Sequence, residues 1–360
     1  MAAAPAPASA FEHGLRRLLR PDETVSDRDP PLRSPSWRWR PSRGADGGSV
    51  LQAGQLLRRT YVEPLRTGLP LLDGHVSLKP GSTVEICGPS GAGKTELLLE
   101  VAANCLLRGR GRAGRDGGQV LFVDLNGTFD PLRLVQVLDA CIHAAGEAPR
   151  SKAEDEEEAR ALALQDALER FHLARCHDSV QLLALLRSMR QRMAAALEGE
   201  EAPFKLLCVD NIGAFYWLDR AFRGTLADAG GEAAGASYGL QSVFKAIVRE
   251  LRCLAQEARL PLLVTKSPVK DPFKRKERDG GDRGAAEASL DHQEYLPASW
   301  QELVTHRLML SQQDPGAAGG AAALHLARWQ YPHEGPVVKF FFTDTVMQLA
   351  PQGAGGRAGS

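Results

Sequence analysis

The stretch STVEICGPSGAGKTELLLEVAANCLL, residues 82–107, decides the fold. It opens as a short apolar, β-branched run and passes through a turn carrying three glycines. It continues with Leu97, Leu98, Val101, Ala102, Cys105 and Leu106 at helical spacing. The turn, GPSGAGKT at 88–95, has the form GxxxxGK[ST] between a strand and a helix, the context this pattern requires. Gly88, Gly91 and Gly93 allow backbone amides to curl around phosphate oxygens, and Pro89, Ser90 and Ala92 complete the loop. Lys94 supplies charge to the β- and γ-phosphates, and Thr95 presents a hydroxyl to Mg²⁺ at the positive end of the helix. The expected ligands are ATP and Mg²⁺.

Working outward, FKLLCVDN at 204–211 is an apolar strand ending in an acid, which makes Asp210 the expected metal anchor beside Thr95. VLFVDLNGTFDP at 120–131 is a buried strand running out into a polar loop. A water-activating carboxylate would be wanted in that loop, and the residue there is Asn126. PLRLVQVLDACIH, FHLARC, SVQLLALLRSMRQRMAAAL, VFKAIVRELRCLAQEA and PLLVTKS continue an alternation of strand and helix lengths. That pattern predicts an α/β fold with a mostly parallel, doubly wound sheet covered on both faces. Beyond residue 300, HRLMLSQQ, LHLARWQ and VVKFFFTD predict an antiparallel C-terminal extension. The expected organisation is a disordered Pro/Arg-rich leader at 1–58, an ATPase-like core at 59–350 and a flexible tail at 351–360.

Lys plus Arg and Asp plus Glu both number 44, so no global field draws the chain to nucleic acid or membrane. Binding of that kind requires local patches. The leader holds one, RSPSWRWRPSR, in which Trp37 and Trp39 alternate with arginines; a docking peptide, a nucleic-acid contact and a tail without a role all fit it. The six cysteines show no metal-ligand spacing and sit mostly in apolar runs, as expected in a reducing compartment. No apolar run approaches the roughly 18 residues that a bilayer requires, so no membrane partner is expected. The acidic run EDEEEA at 154–159 reads as the solvated start of a helix.

RTGLPLLDGHVSLKPGSTVEICGPSGAGKTELLLEVA resembles the opening of the RecA-type core of eukaryotic and archaeal recombinases, and the likeness continues through VLFVDLNGTFDPLRL, LLCVDNIGAFYWLDR, PLLVTKS, WQELVTHRLMLSQQD and KFFFTDTVMQLA. It covers roughly residues 60 to 350. GAFYWLDR, THRLMLSQQD and the GKTE ending of the glycine-rich loop resemble a paralogue branch of that family. The resemblance implies a RecA-type P-loop ATPase core and a nuclear mediator subunit in homologous recombination repair of DNA double-strand breaks. It implies other recombinase paralogues as partners, the D-type paralogue as the nearest, together with the recombinase filament and single-stranded or branched DNA.

Departures from the family pattern bear on mechanism. The family's catalytic glutamate is replaced by Asn126, and its γ-phosphate-sensing Asn-Gln pair aligns with Lys266 and Ser267. The helical N-terminal domain of the full-length recombinases has only the leader as counterpart here. An FxxA string of the kind recombinases use to polymerise, FHLA at 171–174, falls in a predicted core strand. Two loops of the family face DNA. The first corresponds to 220–237, which is barely basic. The second corresponds to 268–284, where Lys270, Lys274, Arg275, Lys276, Arg278 and Arg283 share the stretch with Phe273 and four acids. DNA contact and a merely solvated loop both fit that composition. The other functions open to such a core are an autonomous DNA-dependent ATPase or strand-exchange motor, and a P-loop small-molecule kinase.

Overall fold

Strand β1, Thr83–Cys87, is buried along its whole length because it lies between two parallel neighbours under helices on both faces. The structure is a computed structural model. It describes residues 64–108, 118–145, 153–196, 203–219, 240–268, 294–313, 323–343 and 346–350, all within a compact unit spanning Pro64–Ser360. The predicted leader at 1–58 and the tail at 351–360 lie outside the described residues.

The remaining strands are β2 (Gln119–Asp124), β3 (Phe171–Arg175), β4 (Phe204–Asp210), β5 (Leu262–Lys266), β6 (His306–Gln312), β7 (Leu324–Tyr331), β8 (Val338–Phe342) and β9 (Met347–Leu349). They form one sheet of nine strands in the order β3-β2-β4-β5-β1-β6-β7-β8-β9. Among the described residues the helices are α1 (Pro70–Asp73), α2 (Lys94–Leu107), α3 (Pro131–Ala145), α4 (Ala153–Glu169), α5 (Ser179–Ala196), α6 (Leu240–Gln256) and α7 (Ala298–Gln301).

Side chains alternate across the sheet, and each face has its own helices. Leu121, Val123, Leu207, Val209, Leu262 and Val264 point to the face covered by α5, α6 and Trp300 of α7. Phe122 points the other way, where it packs on Phe129 and Phe171, and α2 crosses β2, β4 and β5 on that side. The acidic run lies in the first turns of α4, and Glu157 and Glu158 are solvated as expected.

The extension departs from expectation in one strand. HRLMLSQQ, expected to run antiparallel, forms β6, which pairs parallel with β1 and antiparallel with β7. The chain reaches β6 from the far face through α7, and a crossover of that kind returns a strand in the parallel sense. The antiparallel part is β7 to β9. FHLA lies in β3 as expected, but among the described residues β3 is a sheet edge bonded only to β2, with Phe171 alone fully buried in it.

Candidate functional site

The carboxyl ends of five parallel strands meet on one edge of the sheet and bring together the loop from Gly88 after β1, Asp124 of β2, Arg175 of β3, Asp210 of β4 and, one residue before the end of β5, Thr265. Gly88 to Gly93 form the loop that leads into α2. A Cβ on Gly88 would stand 2.6 Å from the Leu310 carbonyl oxygen. Gly93 caps α2 at φ 89°, a left-handed conformation, with the Phe342 ring where a side chain would go. The cradle therefore excludes side chains at the points where a phosphate must approach backbone. First-turn amides of a helix have no intrahelical acceptor, so those of α2 are available to an anion.

Lys94 lies folded over the loop, its Nζ donating to the carbonyls of Gly88 (2.8 Å) and Pro89 (2.9 Å). Burial lowers its pKa, and the Asp210 carboxylate works against that shift. Thr95 Oγ1 donates to Asp210 Oδ2 at 2.6 Å, and Thr265 Oγ1 donates to the Oδ1 of the same carboxylate. Asp210 is thus fixed by a hydroxyl on each side, 2% exposed, beside the start of α2. The peptide that follows it, Asp210–Asn211, is cis. A glycine cradle, an ammonium and a Thr/Asp pair fit Mg²⁺-ATP: Gly88 to Thr95 would hold the phosphates, with Thr95 and Asp210 toward the ion. Bound there, Mg²⁺ would neutralise phosphate charge.

Asp124 ends β2 in register with Asp210 on β4. Its buried carboxylate accepts the amides of Gly127 (2.8 Å), Thr128 (3.2 Å) and Phe129 (3.2 Å), and Arg175 Nε donates to it at 3.0 Å. Those bonds curl the following loop tightly and leave Asn126 exposed at its tip. Glu96, beside Thr95, is taken by Arg133, whose Nε donates at 2.9 Å.

Lys266, aligned above with a phosphate sensor, is not in this constellation. Parity on β5 sends Thr265 toward Asp210 and Lys266 to the opposite face. There its fully buried Nζ bonds Glu85 Oε1 (2.8 Å) and Glu294 Oε2 (2.9 Å). Arg307 pairs with both carboxylates, and Trp300 Nε1 donates to Glu85 at 2.7 Å. Burial alone would raise the Glu85 pKa, but the Lys266 and Arg307 cations outweigh it and hold the carboxyl below its ordinary value. Ser267, the other residue of the aligned pair, is held by Asn211, whose Nδ2 donates to its Oγ at 3.0 Å.

A model of the Rad51 family matches residues 58–277. The chain belongs to the Rad51 family. It is 31% identical over 276 residues to the mouse DNA repair protein XRCC2, a match covering 76% of this chain and 86% of that protein. Identity to the Arabidopsis thaliana homolog of XRCC2 is 29% over 287 residues, covering 72% and 76%. Bovine DNA repair protein RAD51 homolog 4 is 27% identical over 264 residues, covering 72% and 65%.

Of the residues singled out in this Rad51-family sequence, the structure brings together Gly88, Pro89, Ser90, Gly91, Ala92, Gly93, Lys94, Thr95 and Asp210. Asn126 stands on the neighbouring loop. Lys270, Lys274, Arg275, Lys276, Arg278 and Arg283 lie outside the described residues, as do Trp37, Trp39 and the 220–237 segment. Sequence reasoning missed Thr265, Asp124 and the wall that Phe342 and Gln312 place against Gly93 and Gly91. Thr265 was findable: it is one residue before the end of an apolar strand, on the side shared with Asp210. The wall carried no local signal, because its residues come from strands more than two hundred positions downstream of the loop.

Proposed function

We propose that this chain is a nucleotide-binding mediator subunit of homologous recombination, one that holds Mg²⁺-ATP and turns it over slowly or not at all. Its place is in the nucleus, within an assembly of recombinase paralogues that includes the D-type paralogue and acts on the recombinase filament and on single-stranded or branched DNA. Relatives named as DNA repair proteins support the setting.

The observation that carries the proposal is the state of the carboxylates at the strand ends. Asp210 is held by Thr95 and Thr265, Asp124 by loop amides and Arg175, and Glu96 by Arg133. The loop position where the family has a glutamate offers the Asn126 amide. An amide orients a water molecule but does not accept its proton, and loss of a general base typically costs about a hundred- to ten-thousandfold in rate.

The test compares binding with turnover. Fluorescent ADP should bind the purified chain in Mg²⁺ and fail to bind Lys94→Ala, while ATP hydrolysis with single-stranded DNA stays near background. Rapid DNA-stimulated hydrolysis that disappears in Lys94→Ala would overturn the non-catalytic assignment. Absence of binding to the wild-type chain, alone and with co-expressed paralogues, would overturn the nucleotide site.

A further inference from the structure

Helices α5 and α6 pack side by side over one face of the sheet, and their outer surface carries cations in excess. The α5 sequence contains no acid, and that of α6 contains only Glu250. Glu250 is buried between the helices, 7% exposed, where it meets Arg187 Nε at 3.5 Å and Arg190 Nε at 3.3 Å. One carboxylate thus stands within ion-pair distance of two guanidiniums that are themselves 58% and 42% exposed.

On α6, Lys245, Arg249 and Arg252 follow one another at intervals of four and three residues, so they share one outward stripe. Arg252 has a long contact of 3.7 Å with the exposed Glu302. Among the described residues no acid forms an ion pair with Lys245 or Arg249. Five cations against Glu250, Glu302 and the exposed Glu257 at the end of α6 leave a surplus of two on this face.

We infer that the outer face of α5 and α6 binds the phosphate backbone of a nucleic acid, at a site separate from the nucleotide loop. Cations one helical turn apart reach successive phosphates, and guanidiniums suit phosphate oxygens. Ala184, Ser188, Gln191, Ala246 and Gln256 stand among the cations, and the exposed apolar Val180 lies apart from them at the N-terminal end of α5, two turns before Arg187. A protein or peptide partner of useful affinity needs an apolar anchor seated in a pocket, whereas a phosphate backbone does not. The chain's overall neutrality confines attraction to such local patches.

The experiment measures binding of a dye-labelled oligothymidylate to the full-length chain across a salt series, with and without co-expressed paralogues. The variant Lys245→Ala/Arg249→Ala/Arg252→Ala should lower the slope of log affinity against log salt by about two, at about 0.7 for each lost single-strand phosphate contact. Its fluorescent-ADP binding should match the wild type. The charge-conserving Lys245→Arg/Arg249→Lys/Arg252→Lys should restore the slope, which separates lost charge from lost folding. An unchanged slope in the alanine variant overturns the assignment. Polyglutamate binding that depends on the α6 cations, without oligonucleotide binding that does, reassigns the face to an acidic peptide.

Discussion

Thr265 and Asp210 stand on adjacent parallel strands, and the threonine hydroxyl donates to the carboxylate oxygen that Thr95 leaves free. A carboxylate held from both sides keeps one orientation, which an ion site needs. Thr265→Val should weaken nucleotide binding in Mg²⁺ by roughly tenfold, about the worth of one hydrogen bond to a charged group. Binding in EDTA should change little, and Thr265→Ser should behave as wild type. Titration of fluorescent ADP with and without Mg²⁺ checks this, and equal losses in both conditions would mean that Thr265 only packs.

The Lys266 network makes a second prediction. Removing one member of a buried ion pair strands its partner and typically costs about 3–5 kcal/mol. Lys266→Met should lower the thermal midpoint sharply, because Glu85 keeps only Arg307 as a counter-charge. Adding Glu85→Gln should recover much of the loss. Melting curves of the single and double variants decide it, and a neutral single variant would show that the pair adds nothing.

Glu100 sits on α2 with only 6% of its surface exposed, and its Oε2 accepts the Met347 amide at 2.9 Å. Burial raises its pKa from 4.5 to about 7. The folded state therefore binds the proton more tightly than the unfolded chain. The residue costs nothing below pH ~4.5, costs progressively more as pH rises, and reaches its full effect, an upper figure of about 3 kcal/mol, above pH ~7. Glu100→Gln keeps the acceptor and removes the charge. It should stabilise the protein at about pH 8 and leave it unchanged at about pH 4.5, as paired thermal melts at the two values would report.

Trp217 and Leu218 follow β4 and are 56% and 55% exposed, and Val180 on the adjoining α5 is 60% exposed. A 2.6 Å bond from Ser179 Oγ to Asp219 holds the two segments together. An apolar patch of this kind suits burial against another chain. The isolated protein should self-associate, and Leu218→Ser with Val180→Ser should reduce light scattering without lowering the thermal midpoint. Scattering identical to wild type would locate the sticky surface elsewhere.

Much of the site was legible because its chemistry is local in sequence. The glycine loop, Lys94 and Thr95 occupy eight consecutive positions, and Asp210 ends a strand whose apolar run announces it. Lys266 was misplaced because family alignment speaks to position along a strand. The side from which its residue projects follows from parity, and parity separates it from Thr265. The direction of β6 was not legible either, since a period of two identifies a strand and is silent about which way it runs. The edge position of β3 depends on strand order, which crossovers between distant segments determine.

The bonds around Lys266 also bear on how this gene can vary. Lys266 Nζ grips Glu294 at 2.9 Å, and Tyr295 Oη donates to the Ser267 carbonyl at 3.0 Å, so residues 266–267 and 294–295 are tied to each other. Closing a longer excursion between two fixed ends costs little more than closing a short one, since each doubling in length adds only about 0.6 kcal/mol. Insertions and deletions between residues 268 and 293 can therefore accumulate without disturbing the register of β5 or β6, and tags or reporter domains placed there should leave the sheet intact.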